Sequence, residues 1–177
     1  ALRARPAGKA VRALLTDASP HVRWEAALTL GAIGDTTAAP ALRQALADSS
    51  TGVVQGAAIS LLKLQGEDAL VAVAPSLDLL PGFLRSGLLE ALGDVPGPMA
   101  LETLLARSRD STDAPTAAGA VSGLAKRKAD AAVVIPALRT ALHAADFTVQ
   151  ASAADALGQL GDSLSVPDLA ELLGRSG

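Results

Sequence analysis

One phrase returns along this chain at a nearly fixed interval. Val22-Arg23-Trp24-Glu25-Ala26-Ala27-Leu28-Thr29-Leu30-Gly31 is followed by versions beginning at Val53, Leu84, Thr116 and Val149. The starting positions are separated by 31, 31, 32 and 33 residues. A period in this range marks a stack of structural repeats, each too small to bury its apolar face alone. It constrains the fold more than any single residue does.

Each phrase reads as an amphipathic helix. In the first copy Val22, Ala26, Leu30 and Ile33 fall at i, i+4, i+8 and i+11, which keeps them on one face. Ser19-Pro20 reads as a cap followed by Pro in the first turn. Gly34-Asp35, Gly93-Asp94 and Gly161-Asp162 read as stops, and Gln65-Gly66 as a fourth. A second helix precedes each phrase. Pro40-Ala41-Leu42-Arg43-Gln44-Ala45-Leu46 recurs almost unchanged as Pro136-Ala137-Leu138-Arg139-Thr140-Ala141-Leu142, and Val166–Leu172 is a third version. Pro75 and Pro136 are expected inside their helices. The unit is helix, turn, helix. Five pairs are expected, near 6–35, 36–67, 68–95, 96–128 and 129–162, with a final helix at 164–175.

The phrase V-R-x-x-A-A-x-x-L-G-x-I-G-D, preceded by a P-A-L-x-x-x-L helix, resembles bacterial HEAT-like repeats of the phycobilin-lyase type. The resemblance covers essentially the whole chain. It implies an all-α, right-handed superhelix of antiparallel helix pairs, with the phrase helices lining the concave side. The fourth copy departs from the pattern, because it lacks the Val-Arg and Gly-Asp signatures.

Composition narrows the function. Half the residues are apolar and 2% are aromatic, yet no apolar run approaches the roughly 18–20 residues of a spanning helix. A soluble protein without membrane insertion is expected, with the cytoplasm favoured. The net charge of −3, with both signs interspersed, argues against a nucleic-acid partner. With no cysteine there is no disulfide, thiolate metal site or cysteine nucleophile. His21 and His143 lack any metal-ligand spacing, and the repeated His-Glu pairs of the HEAT-like iron hydroxylases are missing. No metal or cofactor is expected, and no catalytic motif stands out. The opening Ala-Leu-Arg-Ala-Arg, without Met, reads as a piece of a longer protein.

The phrase columns point to a surface. The third, seventh and eleventh positions are expected to face outward. Trp24, Leu28 and Ile59 fall there, with Val54 beside them, so a cluster of large apolar groups is expected on the surface of the first two repeats. Arg23, Gln55, Arg85 and Glu90 complete the candidate partner-binding residues. Packing within the stack is the plainer explanation for the same residues. Lys126-Arg127-Lys128 reads as cations complementing a helix C-terminus. Arg107, Arg109, Asp110 and Asp113 read as a solvated loop, and Asp17, Asp48 and Asp146 as caps before phrase helices.

The expectation is therefore a non-catalytic module that binds a protein or peptide on its concave surface. Two enzymatic alternatives come from the resemblance. A bilin lyase would need aromatic and arginine contacts around a tetrapyrrole. A HEAT-like DNA glycosylase would need a basic groove, which this composition does not supply.

Overall fold

The computed structural model describes residues 4–175; the opening Ala-Leu-Arg and the last two residues lie outside it. The described residues form helices joined by short turns. The helices are α1 (Ala4–Ala13), α2 (Pro20–Ala32), α3 (Ala39–Ala45), α4 (Thr51–Gln65), α5 (Leu70–Leu79), α6 (Gly82–Leu92), α7 (Pro98–Arg107), α8 (Ala114–Ala125), α9 (Ala131–Ala141), α10 (Phe147–Leu160) and α11 (Val166–Arg175). The fold is all-α and HEAT-like. Short 3-10 turns at Thr36–Ala38, Gly66–Ala69, Lys128–Asp130 and Ser163–Ser165 lead from an even-numbered helix into the next. Pro75 and Pro136 lie inside α5 and α9.

The chain divides into two compact units, Ala1–Leu88 and Leu89–Gly177, with the division inside α6. In the first unit α2 packs on α4. Ala27, Leu30, Leu42, Val53, Ala57 and Leu61 are fully buried there. In the second, α8 packs on α7 and α10 around Leu104, Leu124, Leu138 and Leu157. Leu and Ala fill these cores, so helix backbones come close together. A Cβ on Gly31 would lie 2.9 Å from the Ser60 Cα, and Ser60 Oγ donates to the Ala27 carbonyl at 2.7 Å. A Cβ on Gly93 would lie 2.3 Å from the Gly123 carbonyl oxygen.

The helix ends correct two details of the sequence pattern. Ser19 sits at the N-cap of α2, but its side chain makes no capping bond. Asp17 accepts the Ser19 N–H at 2.8 Å instead, and Asp48 accepts that of Ser50 at 2.8 Å. Asp146 caps α10 directly, accepting the Thr148 N–H. Gly34, Gly66 and Gly161 adopt positive φ and stop their helices as expected. Gly93 does not have positive φ; the positive-φ glycine nearby is Gly97, at φ 123°, which sits at the N-cap of α7. Gly93 is small because α8 crosses it, which a stop-signal reading of Gly-Asp does not reveal.

Arginines tie leading helices to the loops that follow their partners. Arg12 pairs with Asp35, and Arg43 donates to Gln65 Oε1 at 2.8 Å. Arg139 forks onto Asp162 at 2.8 and 2.5 Å. Arg139 and the Ser165 hydroxyl pull the Asp162 carboxyl down to about 2. The hydroxyl of Thr37, and after it Arg12, holds Asp35 below the usual carboxylate range.

The basic Lys126-Arg127-Lys128 cluster is not a uniformly solvated group. Arg127 is 7% exposed. Its guanidinium donates to the Val95 carbonyl, to the Gly97 carbonyl at 2.9 Å and to Asp130 Oδ2 at 2.7 Å. It straps the 94–97 loop to the end of α8. Lys126 remains exposed and pairs with Asp94 at 2.9 Å.

Candidate partner-binding surface

Helices α2 and α4 of the first unit, with Leu84 of α6, build the site. Pro20 starts α2, and the three-residue step along the helix puts His21 and Trp24 on one side. Their rings lie 5.6 Å apart, tilted by 31°. Gly56 of α4 makes room for the indole: a Cβ there would lie 2.9 Å from Trp24 Cδ1. Trp24 is therefore half-buried, with one side seated on α4 backbone and the other facing outward.

Around it is a shallow depression of about 290 Å³, lined by Pro20, His21, Trp24, Ser50, Gly52, Gln55 and Leu84. No Asp, Glu, Lys or Arg lines it. Gln55 is fixed by donating from Nε2 to the Leu84 carbonyl at 2.8 Å. An aromatic floor with hydroxyl, amide and imidazole groups at its edge suits an uncharged, partly apolar segment.

The other expected site residues are distributed differently. Val54 is 6% exposed and belongs to the core, so the outward position assigned to it is incorrect. Its column is the second of the phrase, and on α4 that position is buried. Leu28 and Ile59 are half-buried and lie outside the lining of the depression. Arg23 does not form a free rim. Its Nε and Nη2 fork onto Asp48 at 2.7 and 2.8 Å, and Nη1 donates to the Asp17 carbonyl at 2.8 Å. The hydrogen bond from Arg23 depresses the Asp48 pKa, and the same bond raises that of Arg23. Arg85 donates to the Leu80 carbonyl at 2.8 Å. Glu90 is exposed, 3.8 Å from Lys126 Nζ.

The structure adds Pro20, His21, Ser50, Gly52 and Leu84 to the residues expected from the sequence. The spacing of His21 and Trp24 along one helix was the available signal. Leu84 has none, since only tertiary contact brings it to Gln55. Phe83, its neighbour, is 71% exposed. Among the described residues, no group of three or more His, Cys, Asp or Glu is placed to hold a metal ion, and no helix is long and apolar enough to cross a membrane.

Comparison with solved structures finds the same architecture elsewhere. One match is a chain in the complex of CpcE and CpcF of phycocyanin lyase from Nostoc sp. PCC7120. It is 26% identical, with a TM-score of 0.58, and the match covers 94% of this chain and 68% of that one. Another is human deoxyhypusine hydroxylase in complex with glycerol, at 19% identity and a TM-score of 0.51, covering 89% and 74% of the two chains. The second likeness is one of fold alone. Comparison with curated protein sequences finds no match. The family model for HEAT repeats matches residues 2–63 and 101–176, well over half of the sequence. This chain belongs to the HEAT-repeat family.

Proposed function

We propose that this chain is a non-catalytic protein-binding module, and that an extended, uncharged segment of a partner protein lies over the Trp24 depression. The observation that carries the reading is the half-buried indole seated on Gly56 in a hollow free of charged side chains. A rigid aromatic at the centre of a small hollow is the usual form of an interface anchor. The lyase neighbour is itself solved as a complex of two proteins, which supports a protein partner here. The engaged state of Asp35, Asp48 and Asp162, each paired with arginine, supports a structural rather than catalytic use of these carboxylates.

Affinity capture with wild type and Trp24→Ala, followed by calorimetry with the purified captured protein, tests the proposal. Trp24→Ala is expected to weaken binding by about 2 kcal/mol or more, with circular dichroism and melting close to wild type. Equal affinity of the two forms would refute the site, and collapse of the variant fold would show that Trp24 serves packing.

The likeness to a phycocyanin-lyase chain favours a second reading, in which the chain handles an open-chain tetrapyrrole. Mixing the protein with a bilin tests it: an unchanged absorbance spectrum removes this reading and leaves the first intact.

A further inference from the structure

The second position of the phrase closes its own turn in three of the five copies. Arg23 donates to the Asp17 carbonyl, Arg85 to the Leu80 carbonyl and Gln150 to the Ala144 carbonyl at 2.6 Å. Arg23 also reaches forward to Asp48 in the next turn, so one guanidinium bridges the turns of pairs one and two. In the fourth copy this position is Ala117. Asp48 precedes Val53 by five residues, and the residue that precedes Val149 by five is Ala144. Both members of the bridge are thus alanine between pairs four and five.

A cavity of about 490 Å³ opens where the bridge would lie, with Ala117 and Ala144 in its wall. Leu105, Val133, Pro136 and Val149 give it an apolar lining. The volume is in the range of specific small-group sites. Ser111, which stands six residues before Ala117 as Asp17 stands before Arg23, also lines it. Ala117 has no donor to offer the Ser111 carbonyl. Asp110, Asp146, Arg109 and His143 also line the cavity, and the charge of Arg107 acts on Asp110 from nearby. Asp146 holds the Thr148 N–H at 2.7 Å through one oxygen. Asp110 accepts the Thr112 hydroxyl at 2.6 Å and the Thr112 N–H at 2.9 Å, bonds that lower its pKa and keep it ionised.

We propose that this cavity receives an arginine side chain from a partner protein, which supplies in trans the guanidinium that Ala117 lacks. The incoming group donates to the Ser111 carbonyl and sets its charge against Asp146, while its methylenes lie along the apolar lining. The pattern on which this rests is made in cis by Arg23, Asp17 and Asp48. The inference extends the protein-binding reading to a second place, in the second unit.

The probes are N-acetyl-arginine amide and N-acetyl-glutamine amide, titrated into ¹⁵N-labelled protein and followed by nuclear magnetic resonance. Saturable shifts at the amides of Ser111, Ala117, Ala144 and Asp146 are expected with the arginine compound and not with the glutamine one. Ala117→Arg combined with Ala144→Asp rebuilds the bridge in cis and is expected to abolish the shifts. Asp146→Asn keeps a capping side chain and is expected to weaken the arginine probe about fivefold, the scale of one exposed ion pair. No saturable shift, equal shifts with glutamine, or undiminished affinity in Asp146→Asn would overturn the proposal. Trp24→Ala leaves this titration unchanged, so failure here is distinct from failure at the first-unit surface.

Discussion

Trp24 Cδ1 lies 2.9 Å from the place a Cβ on Gly56 would occupy, so the indole of α2 is set by an absent side chain on α4. The candidate surface therefore depends on a glycine in the neighbouring repeat. Gly56→Ala is expected to tilt or expel the indole at about 1–3 kcal/mol, the scale of overpacking. With one Trp and no Tyr in the sequence, emission reports that ring alone. A shift in its maximum together with a lowered melting temperature is the expected result; an unchanged spectrum would show that the contact relaxes without moving the ring.

Glycines at the same phrase position are expected to respond oppositely. Gly31, Gly93 and Gly158 each end an aligned phrase segment. Gly93→Ala drives a methyl against the Gly123 backbone oxygen and is expected to lose about 3 kcal/mol. Around Gly158 the space is open: nothing lies within 4 Å of where a Cβ would stand, and φ is not positive. Gly158→Ala is expected to stabilise by about 0.4–1 kcal/mol, because alanine restricts the unfolded chain. Urea unfolding of the two variants checks both signs.

Arg127 and Lys126 are neighbours with different consequences. Removing Arg127 leaves the Val95 and Gly97 carbonyls without their guanidinium donor and is expected to cost about 2–3 kcal/mol. Lys126→Ala breaks an exposed pair with Asp94 and is expected to cost at most about 1 kcal/mol. Equal losses in thermal melts would contradict the strap assigned to Arg127.

Acid should weaken the fold through Asp162. Its folded-state pKa is about 2, below the ordinary value of 3.8. A depressed carboxyl contributes stability that is fully present above pH 3.8 and lost as the pH falls toward about 2. Asp35 and Asp48, also depressed, act in the same direction. Urea midpoints measured across this window should fall with pH, and Asp162→Asn should flatten the slope. A slope identical to wild type would remove Asp162 from the acid response.

The helix-pair architecture was legible because core columns such as Leu30, Leu61, Leu92, Leu124 and Leu157 repeat with the period. Even the atypical fourth phrase forms a full helix, α8, since small buried residues pack it closely despite its missing signatures. What the period could not convey was the distance between helices. Gly93 is a crossing point because the α8 backbone approaches it closely, a property of two helices at once. Trp24 was legible as the distinctive outward residue, and its three-residue spacing from His21 on α2 was there to be read, but nothing in the sequence marked Leu84. Arg23 belonged to a bridge whose other half, Asp48, lies 25 residues away.

That bridge also bears on how a stack of repeats comes apart. In a linear array, cooperativity resides in the coupling between nearest neighbours. The junction of pairs one and two carries a forked ion pair, and the junction of pairs four and five carries alanines. Amide protons flanking Ala117 and Ala144 should therefore exchange with solvent through smaller, cheaper openings than those flanking Arg23 and Asp48. An occupant of the cavity would do more than bind: it would fasten a weak link, and raise the cooperativity of the segment that holds it.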